Sequence, residues 1–363
     1  MNGNKKIFYE IARTDIRDME EYDPGPMPAD ISVRISANEN NCGVPPLARE
    51  ALIKAIDDGN RYGDSRCDEL RAVLASRHGL SPEQILVGNG LDGVFTMLGR
   101  AFLEPGRELI TGELTFSVYA ETARIAGAAV VQVPMTEDFA LSAQGFIGSV
   151  TKRTGMICFC NPNNPTGTAA GISEIVKMLD ALPQSILFVL DEAYIDFADD
   201  PSATGMKLLG RYRNLIVCRT FSKIFGLAGL RVGYIAADPE LLSYVYKVRE
   251  PYCVNTLAAS AAAAALRDEA YLRNSRETVI REREKLQDFF RGIGIKFVPS
   301  QTNFIMLRAE NAVRLRDRLL GRGVAVRLLC HKGKKNILRI TVGLPEENEY
   351  FKKVFAEAHG IDL

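Results

Sequence analysis

One stretch of the chain sets an amine among anion-binding side chains: Thr220-Phe221-Ser222-Lys223, followed by Ile224-Phe225-Gly226-Leu227-Ala228-Gly229-Leu230-Arg231-Val232-Gly233-Tyr234. Two hydroxyls and a guanidinium are the groups that hold an anion such as a phosphate. A lysine placed beside them in a partly desolvated, electropositive site loses basicity and becomes a nucleophile. Three further polar clusters have the same potential: Gly88-Asn89-Gly90-Leu91-Asp92-Gly93, Asn161-Pro162-Asn163-Asn164-Pro165-Thr166-Gly167, and Asp191-Glu192-Ala193-Tyr194. The first leads into a helix-like stretch, so the backbone N–H groups of Leu91 and Asp92 are suited to an anion. Taken singly, each has an ordinary explanation. Lys223 reads as a solvated lysine, Asp191 as a helix cap, Thr220 and Ser222 as turn residues, and Asn161–Gly167 as a turn.

What joins the four clusters is the element before each. Ile85-Leu86-Val87, Met156-Ile157-Cys158-Phe159, Ile186-Leu187-Phe188-Val189-Leu190 and Leu215-Ile216-Val217-Cys218 are short, unbroken apolar runs. Such runs suit strands covered on both faces of a parallel sheet. Helix-like segments such as Ile172 to Leu182 alternate with them, which predicts an α/β fold. Ligands of open α/β sheets bind beyond the C-terminal strand ends, so all four clusters should face one crevice.

The 363 residues exceed what one core usually serves, and we expect two lobes behind an arm: an N-terminal arm over 1–35, irregular over 20–35 and packing with the small domain or a partner subunit, a large domain over 36–258 with a mostly parallel sheet between helices, and a smaller α+β domain over 259–363. In the last part, Thr256 to Leu266 and the heavily charged Tyr271 to Phe290 read as helices, the second bridging solvent. Phe297 to Leu307 and Ala325 to Val342 read as strands around a helix, Ala312 to Leu320, with the basic run His331 to Lys335 as a solvated loop.

Lys plus Arg and Asp plus Glu both number 45, so no global charge favours nucleic acid or an anionic membrane. Seven cysteines without framework spacing argue against a disulfide scaffold, and three scattered histidines against a metal site. Met1 to Glu10 has no apolar leader core, and no stretch is apolar enough to span a bilayer, so the sequence reads as cytoplasmic.

The run Thr220–Gly233, together with Asn161–Gly167 and Asp191–Tyr194, resembles the fold-type I pyridoxal-phosphate aminotransferases of the class I/II group. Asn38-Glu39-Asn40, Arg61-Tyr62, Thr115-Phe116-Ser117-Val118-Tyr119, Gln301-Thr302-Asn303-Phe304 and Leu338-Arg339-Ile340-Thr341-Val342-Gly343 are most similar to the histidinol-phosphate aminotransferases among them. The resemblance implies pyridoxal 5′-phosphate held as a Schiff base on Lys223. It implies Asp191 at the ring nitrogen, Tyr194 and Asn164 at the phenolic oxygen, and Phe116 stacked on the ring. Leu91, Asp92, Thr220, Ser222 and Arg231 are implied at the cofactor phosphate, with Tyr62 reaching in from the second subunit of a homodimer. Arg339 is implied at a substrate carboxylate, and Asn40, Tyr22 and Arg327 at the substrate, the last two near its phosphate. The implied reaction is L-histidinol phosphate plus 2-oxoglutarate to imidazole acetol phosphate plus L-glutamate, a step of histidine biosynthesis.

Four alternatives stay open on the residues, one of them a non-catalytic regulatory or scaffolding relative of the same fold, against which the intact set of Asn164, Asp191, Tyr194, Lys223, Arg231 and Arg339 argues. Aromatic aminotransferases and phospho-amino-acid decarboxylases share these motifs. A nicotinamide dehydrogenase is the reading from another class. Gly88–Gly93 satisfies the dinucleotide glycine pattern, and Glu113 lies 20 residues past Gly93, but the other three clusters would then have no task.

Overall fold

The four apolar runs are neighbouring or near-neighbouring strands of one sheet. A computed structural model describes residues 4–360 apart from 18, 27 and 29. The chain begins with helices α1 (Asn4–Ile11) and α2 (Thr14–Arg17), then an irregular stretch and a short strand, β1 (Val33–Arg34). Helices α3 (Pro46–Ala55) and α4 (Asp68–His78) lead into an alternating series: β2 (Ile85–Asn89), α5 (Gly90–Phe102), β3 (Glu108–Gly112), α6 (Val118–Ile125), β4 (Ala129–Val133), α7 (Ala143–Gly148), β5 (Thr154–Cys160), α8 (Ile172–Ala181), β6 (Leu187–Asp191), β7 (Leu215–Thr220), β8 (Val232–Ala236) and α9 (Pro239–Val248). Two helices follow, α10 (Thr256–Ala265) and α11 (Glu269–Gly292), then β9 (Phe297–Val298), β10 (Phe304–Arg308), α12 (Ala312–Leu320), β11 (Val324–Ala325), β12 (Arg327–His331), β13 (Lys334–Thr341) and α13 (Pro345–His359).

Strands β2 to β8 form a seven-stranded sheet in the order β2-β8-β7-β6-β5-β3-β4. All neighbours are parallel except β8, which runs antiparallel to both β7 and β2. The sheet is therefore α/β and mostly parallel, as the alternation predicts. Its central strands β5, β6 and β7 are buried almost throughout, which is why they read as unbroken apolar runs rather than alternating ones. The edge strand β4 is half-exposed and mixed in composition, and it gave no such signal in the sequence.

The orientation of β8 has a direct consequence. Parallel strands β2, β5, β6 and β7 all end at one edge of the sheet, and antiparallel β8 starts there. Arg231, the residue before β8, thus arrives beside Gly90 and Ser222. Gly233 lies opposite Gly88 and Thr220; a Cβ there would sit 2.9 Å from the backbone of Gly90 and Leu91, so only glycine lets β8 approach the start of α5.

The C-terminal part forms an antiparallel sheet in the order β12-β13-β10-β9, packed with α12 and α13. The short β1 pairs in parallel with β11, and Thr341 donates its N–H to Ile35, so the segment entering residues 36–40 is stitched to these C-terminal strands. Two expectations need correction. Helix α11 is not a solvent bridge: it buries Ser275, Val279, Glu282, Arg283, Leu286 and Phe290, with Phe289 and Phe290 packed against Phe351 and Phe355 of α13. Its charged residues cover the remaining face, which hid the apolar stripe. The run His331–Lys335 is not a loop but the tip of the β12–β13 hairpin. Lys332 and Gly333 both take positive φ, 51° and 74°, as a two-residue turn matched to strand twist requires.

Candidate active site

Lys223 lies just beyond β7, on the loop that returns to β8. Its Nζ is 3.1 Å from the Asn38 carbonyl oxygen and 3.4 Å from that of Ala37, and it sits 5.6 Å from the centre of the Tyr194 ring. Desolvation, then the nearby positive charges of Arg339 and Arg231, push the amine down to about 8, against the pull of Glu39 and Asp92. A substantial fraction is therefore neutral, and nucleophilic, near physiological pH.

Asp191 closes β6. Its register partners are Cys160 on β5 and Cys218 on β7, so two buried thiols flank the carboxylate on one face of the sheet. Oδ2 accepts the Tyr119 hydroxyl at 2.6 Å and Oδ1 accepts the Ala193 N–H at 2.9 Å. Burial raises the group to about 6 despite these two donors, and the negative charges of Glu192 and Asp92 push the same way. Among the described residues no cationic side chain forms an ion pair with Asp191, and a protonated ring nitrogen would relieve the cost of this buried anion.

Tyr194, three residues on, is buried against the edge of Phe304 and accepts a hydrogen bond from Asn38 Nδ2 at 3.0 Å. Burial holds its phenol well above its ordinary range. Asn164 is buried and its Oδ1 accepts Arg339 Nη1 at 2.6 Å. Phe116 is partly buried and meets Tyr119 edge-on, with 5.6 Å between ring centres.

At the other side of Lys223 lies a cradle. Gly90 opens α5 with φ +67°, and a Cβ there would fall 2.7 Å from Arg231 Nη2. Leu91 and Asp92 follow in the first helical turn, where N–H groups lack intrahelical partners. Arg231 itself has φ 55° and aims Nη1 toward Ser222 Oγ at 3.5 Å; Thr220 Oγ1 accepts the Ser222 N–H. The Asp92 carboxylate pairs with Arg231 Nη2 at 2.8 Å, an interaction that the sequence did not suggest.

Arg339 stands on β13 directly opposite Arg327 on β12. Its Nη2 donates to the Ser36 carbonyl at 3.0 Å, and its Nε is shut away from solvent with no hydrogen-bond partner among the described residues. Desolvation, then the charge of Arg327, lower this guanidinium to about 10. Arg327 lies over the ring of Tyr22, 5.3 Å from its centre, and Tyr22 is otherwise exposed. Asn40 points inward instead: Nδ2 donates to the carbonyls of Lys223 and Ile224 and to Ser275 Oγ, so its amide is already engaged in holding the lysine loop. Tyr62 is 84% exposed and stacks on Tyr252, not on any residue named above. Two contributors went unrecognised in the sequence. Asn38 and Tyr119 both lie within quoted motifs, but only the packing shows their partners.

The set fits pyridoxal phosphate on its own terms: an amine for the aldehyde, a buried carboxylate for the ring nitrogen, and a glycine-opened cradle with Arg231 and two hydroxyls for the phosphate. Among the described residues, no group of three or more His, Cys, Asp or Glu could hold a metal, and no helix is long and apolar enough to cross a membrane. A family model described as aminotransferase class I and II matches residues 30–354. The chain is a class I/II aminotransferase. This aminotransferase is 40% identical over 332 residues to a histidinol-phosphate aminotransferase of Limosilactobacillus fermentum, covering 89% of this chain and 90% of the relative. It is 36% identical to one from Pseudomonas fluorescens (strain Pf0-1), with 97% of each chain covered. Among solved structures, a histidinol-phosphate aminotransferase from Sinorhizobium meliloti in complex with pyridoxal-5′-phosphate matches with a TM-score of 0.86 and 29% identity, covering 90% of this chain and 91% of that one.

Proposed function

We propose that this aminotransferase moves the amino group of L-histidinol phosphate to 2-oxoglutarate, giving imidazole acetol phosphate and L-glutamate, with pyridoxal 5′-phosphate as its cofactor. The observation that carries the reading is the juxtaposition of Arg327 and Arg339 at one end of the site, both on neighbouring strands and facing the same way. Two adjacent guanidiniums repel each other, and a phosphate dianion or a carboxylate relieves that repulsion. One clamp then serves both substrates, since the donor carries a phosphate where the acceptor carries a carboxylate. The curated relatives named above support the choice of donor.

Bound pyridoxal phosphate supplies a ring that takes up the electron pair left when a substrate Cα–H bond breaks. The protein's groups do the rest. Lys223 Nζ, kept near neutrality, would carry the proton from the substrate Cα to the cofactor's C4′ carbon, and from C4′ to Cα in the other half-reaction. Asp191 holds the proton of the ring nitrogen in place. Tyr194 and Asn164 face the phenolic oxygen, and Phe116 covers the ring. The N–H groups of Leu91 and Asp92, with Thr220, Ser222 and Arg231, hold the cofactor phosphate. Arg339 takes the substrate anion, with Arg327, Tyr22 and Asn40 at its margin. Tyr62, solvent-facing in one chain, serves the site of a second copy in a cytoplasmic homodimer. The organisation that fits these roles is an arm over 1–35, a cofactor-binding domain over 36–258 and a small domain over 259–363.

The test is a panel of amino donors, each with and without a phosphate group, against 2-oxoglutarate, with glutamate and carbon dioxide both measured. Histidinol phosphate should be turned over fastest, with no carbon dioxide released. Equal turnover of aromatic amino acids, or decarboxylation, would overturn the choice of reaction.

A further inference from the structure

Tyr119 is wholly buried at the start of α6, and its ring is wedged edge-on between Phe95 and Phe116, with centres 4.9 and 5.6 Å away. Between these two rings the hydroxyl points to Asp191 and donates to its Oδ2 at 2.6 Å. Burial and the neighbouring Asp191 keep the phenol far above its ordinary ionisation range, so it stays a donor. The other titratable groups that bear on Asp191 are thiols and carboxylates. Cys158 and Cys160 come from β5, Cys218 from β7, Glu192 follows in the chain, and Asp92 lies at the start of α5. Among the described residues, the backbone N–H of Ala193 and the Tyr119 hydroxyl are the groups that hydrogen-bond this carboxylate.

We propose that Tyr119 is a positioning residue for the reaction: its hydroxyl holds Asp191 as an oriented, ionised carboxylate, so that the proton between Asp191 and the cofactor's ring nitrogen remains on the nitrogen. The inference rests on the function proposed above. Loss of the phenol leaves the carboxylate with one backbone donor in an apolar, thiol-lined setting. Asp191 then gains basicity and competes for the proton. A side chain that served packing alone would be replaced by phenylalanine without such a change.

The test compares wild type, Tyr119→Phe and Phe95→Leu. In the unliganded proteins, the Asp191 carboxylate band is followed by infrared spectroscopy against pH, with Asp191→Asn as the blank. The wild-type midpoint should lie near 6. Tyr119→Phe should move it up by about one unit or more, while Phe95→Leu, which disturbs the same ring without removing a donor, should not. In the holoenzymes, Tyr119→Phe should bind pyridoxal phosphate about 10-fold more weakly and lose kcat about 10- to 100-fold, with KM for the amino donor little changed. An unmoved midpoint with unchanged cofactor affinity overturns the proposal while leaving the function intact. A wild type that takes up no pyridoxal phosphate overturns the functional reading and the role of Tyr119 with it. The titration of Asp191 would still show whether the hydrogen bond exists, so the two failures are distinguishable.

Discussion

Arg327 and Arg339 are register partners across the antiparallel strands β12 and β13, and the two guanidiniums share one face of the small sheet. Arg339 gives its terminal nitrogens to Asn164 and the Ser36 carbonyl and keeps a buried Nε with no hydrogen-bond partner among the described residues; Arg327 rests on Tyr22. The deeper residue should therefore matter to every substrate and the outer one chiefly to the more highly charged. Arg339→Gln should lower kcat/KM about 100-fold for both histidinol phosphate and 2-oxoglutarate, as expected for two charged hydrogen bonds. Arg327→Gln should cost the phosphorylated donor about 10-fold more than it costs the oxo acid. Half-reaction kinetics with each substrate check both; an equal loss for donor and acceptor in Arg327→Gln would remove its assignment to the phosphate.

Lys223→Ala should abolish covalent capture of pyridoxal phosphate, read as the mass added after borohydride reduction, and with it multiple-turnover transamination. In wild type the neutral amine is the reactive form. The capture rate of the apoprotein should rise with pH and level off above about 8, the value to which desolvation and Arg339 lower this lysine. A plateau only near the ordinary lysine range would contradict the site described.

Asp191→Asn should cut turnover severely yet stabilise the apoprotein at neutral pH. The sign follows from a folded value raised to about 6 against an ordinary 3.8. At low pH the group is protonated whether folded or not and costs little. As pH rises through 4 to 6, the unfolded chain gains charge more readily than the folded one, and the buried carboxylate becomes a liability of roughly 3 kcal/mol. The stability difference between variant and wild type should open across that window and stay constant above it in apoprotein melting curves.

His78 gives a pH effect of opposite sign. Its Nε2 lies 2.8 Å from the Tyr234 hydroxyl, and burial, then Arg219 and Arg77, lower its value from 6.5 to about 4. The folded state holds it neutral, so its contribution is present above 6.5 and is lost as pH falls toward 4. His78→Gln should flatten this part of the stability profile, and chemical denaturation at pH 7, 6, 5 and 4 would measure it. A variant whose profile parallels wild type would place the acid sensitivity elsewhere.

Tyr62 tests the dimer. If it serves the partner's site, Lys223→Ala and Tyr62→Ala chains are each defective alone. Mixing them restores sites that combine an intact lysine with an intact tyrosine, about a quarter of all sites at equal concentrations. Activity that stays at the sum of the two parents would confine Tyr62 to its contact with Tyr252.

Much of the large sheet was legible because its central strands are covered on both faces. Burial on both sides demands unbroken apolar runs, and four such runs announced β2, β5, β6 and β7. Strands β3, β4 and β8 escaped notice: β4 is half-exposed, and β8 is hidden within the Arg231–Tyr234 text that reads as a loop around the lysine. The charged helix α11 was legible as a helix but not as a core element, because its buried stripe is narrow beside its charged face.

The sequence alone determined the chemistry-bearing clusters and the strand ends that carry them. Apolar runs, turn residues and helix starts are written in neighbouring positions, where local sterics and burial act. Tertiary structure decided which clusters touch. Arg231 reaches the cradle only because β8 runs antiparallel, Tyr119 reaches Asp191 across 72 positions, and Arg327 faces Arg339 only through the hairpin's register. Those relations depend on strand direction, pairing and packing between distant segments, and no local preference encodes them.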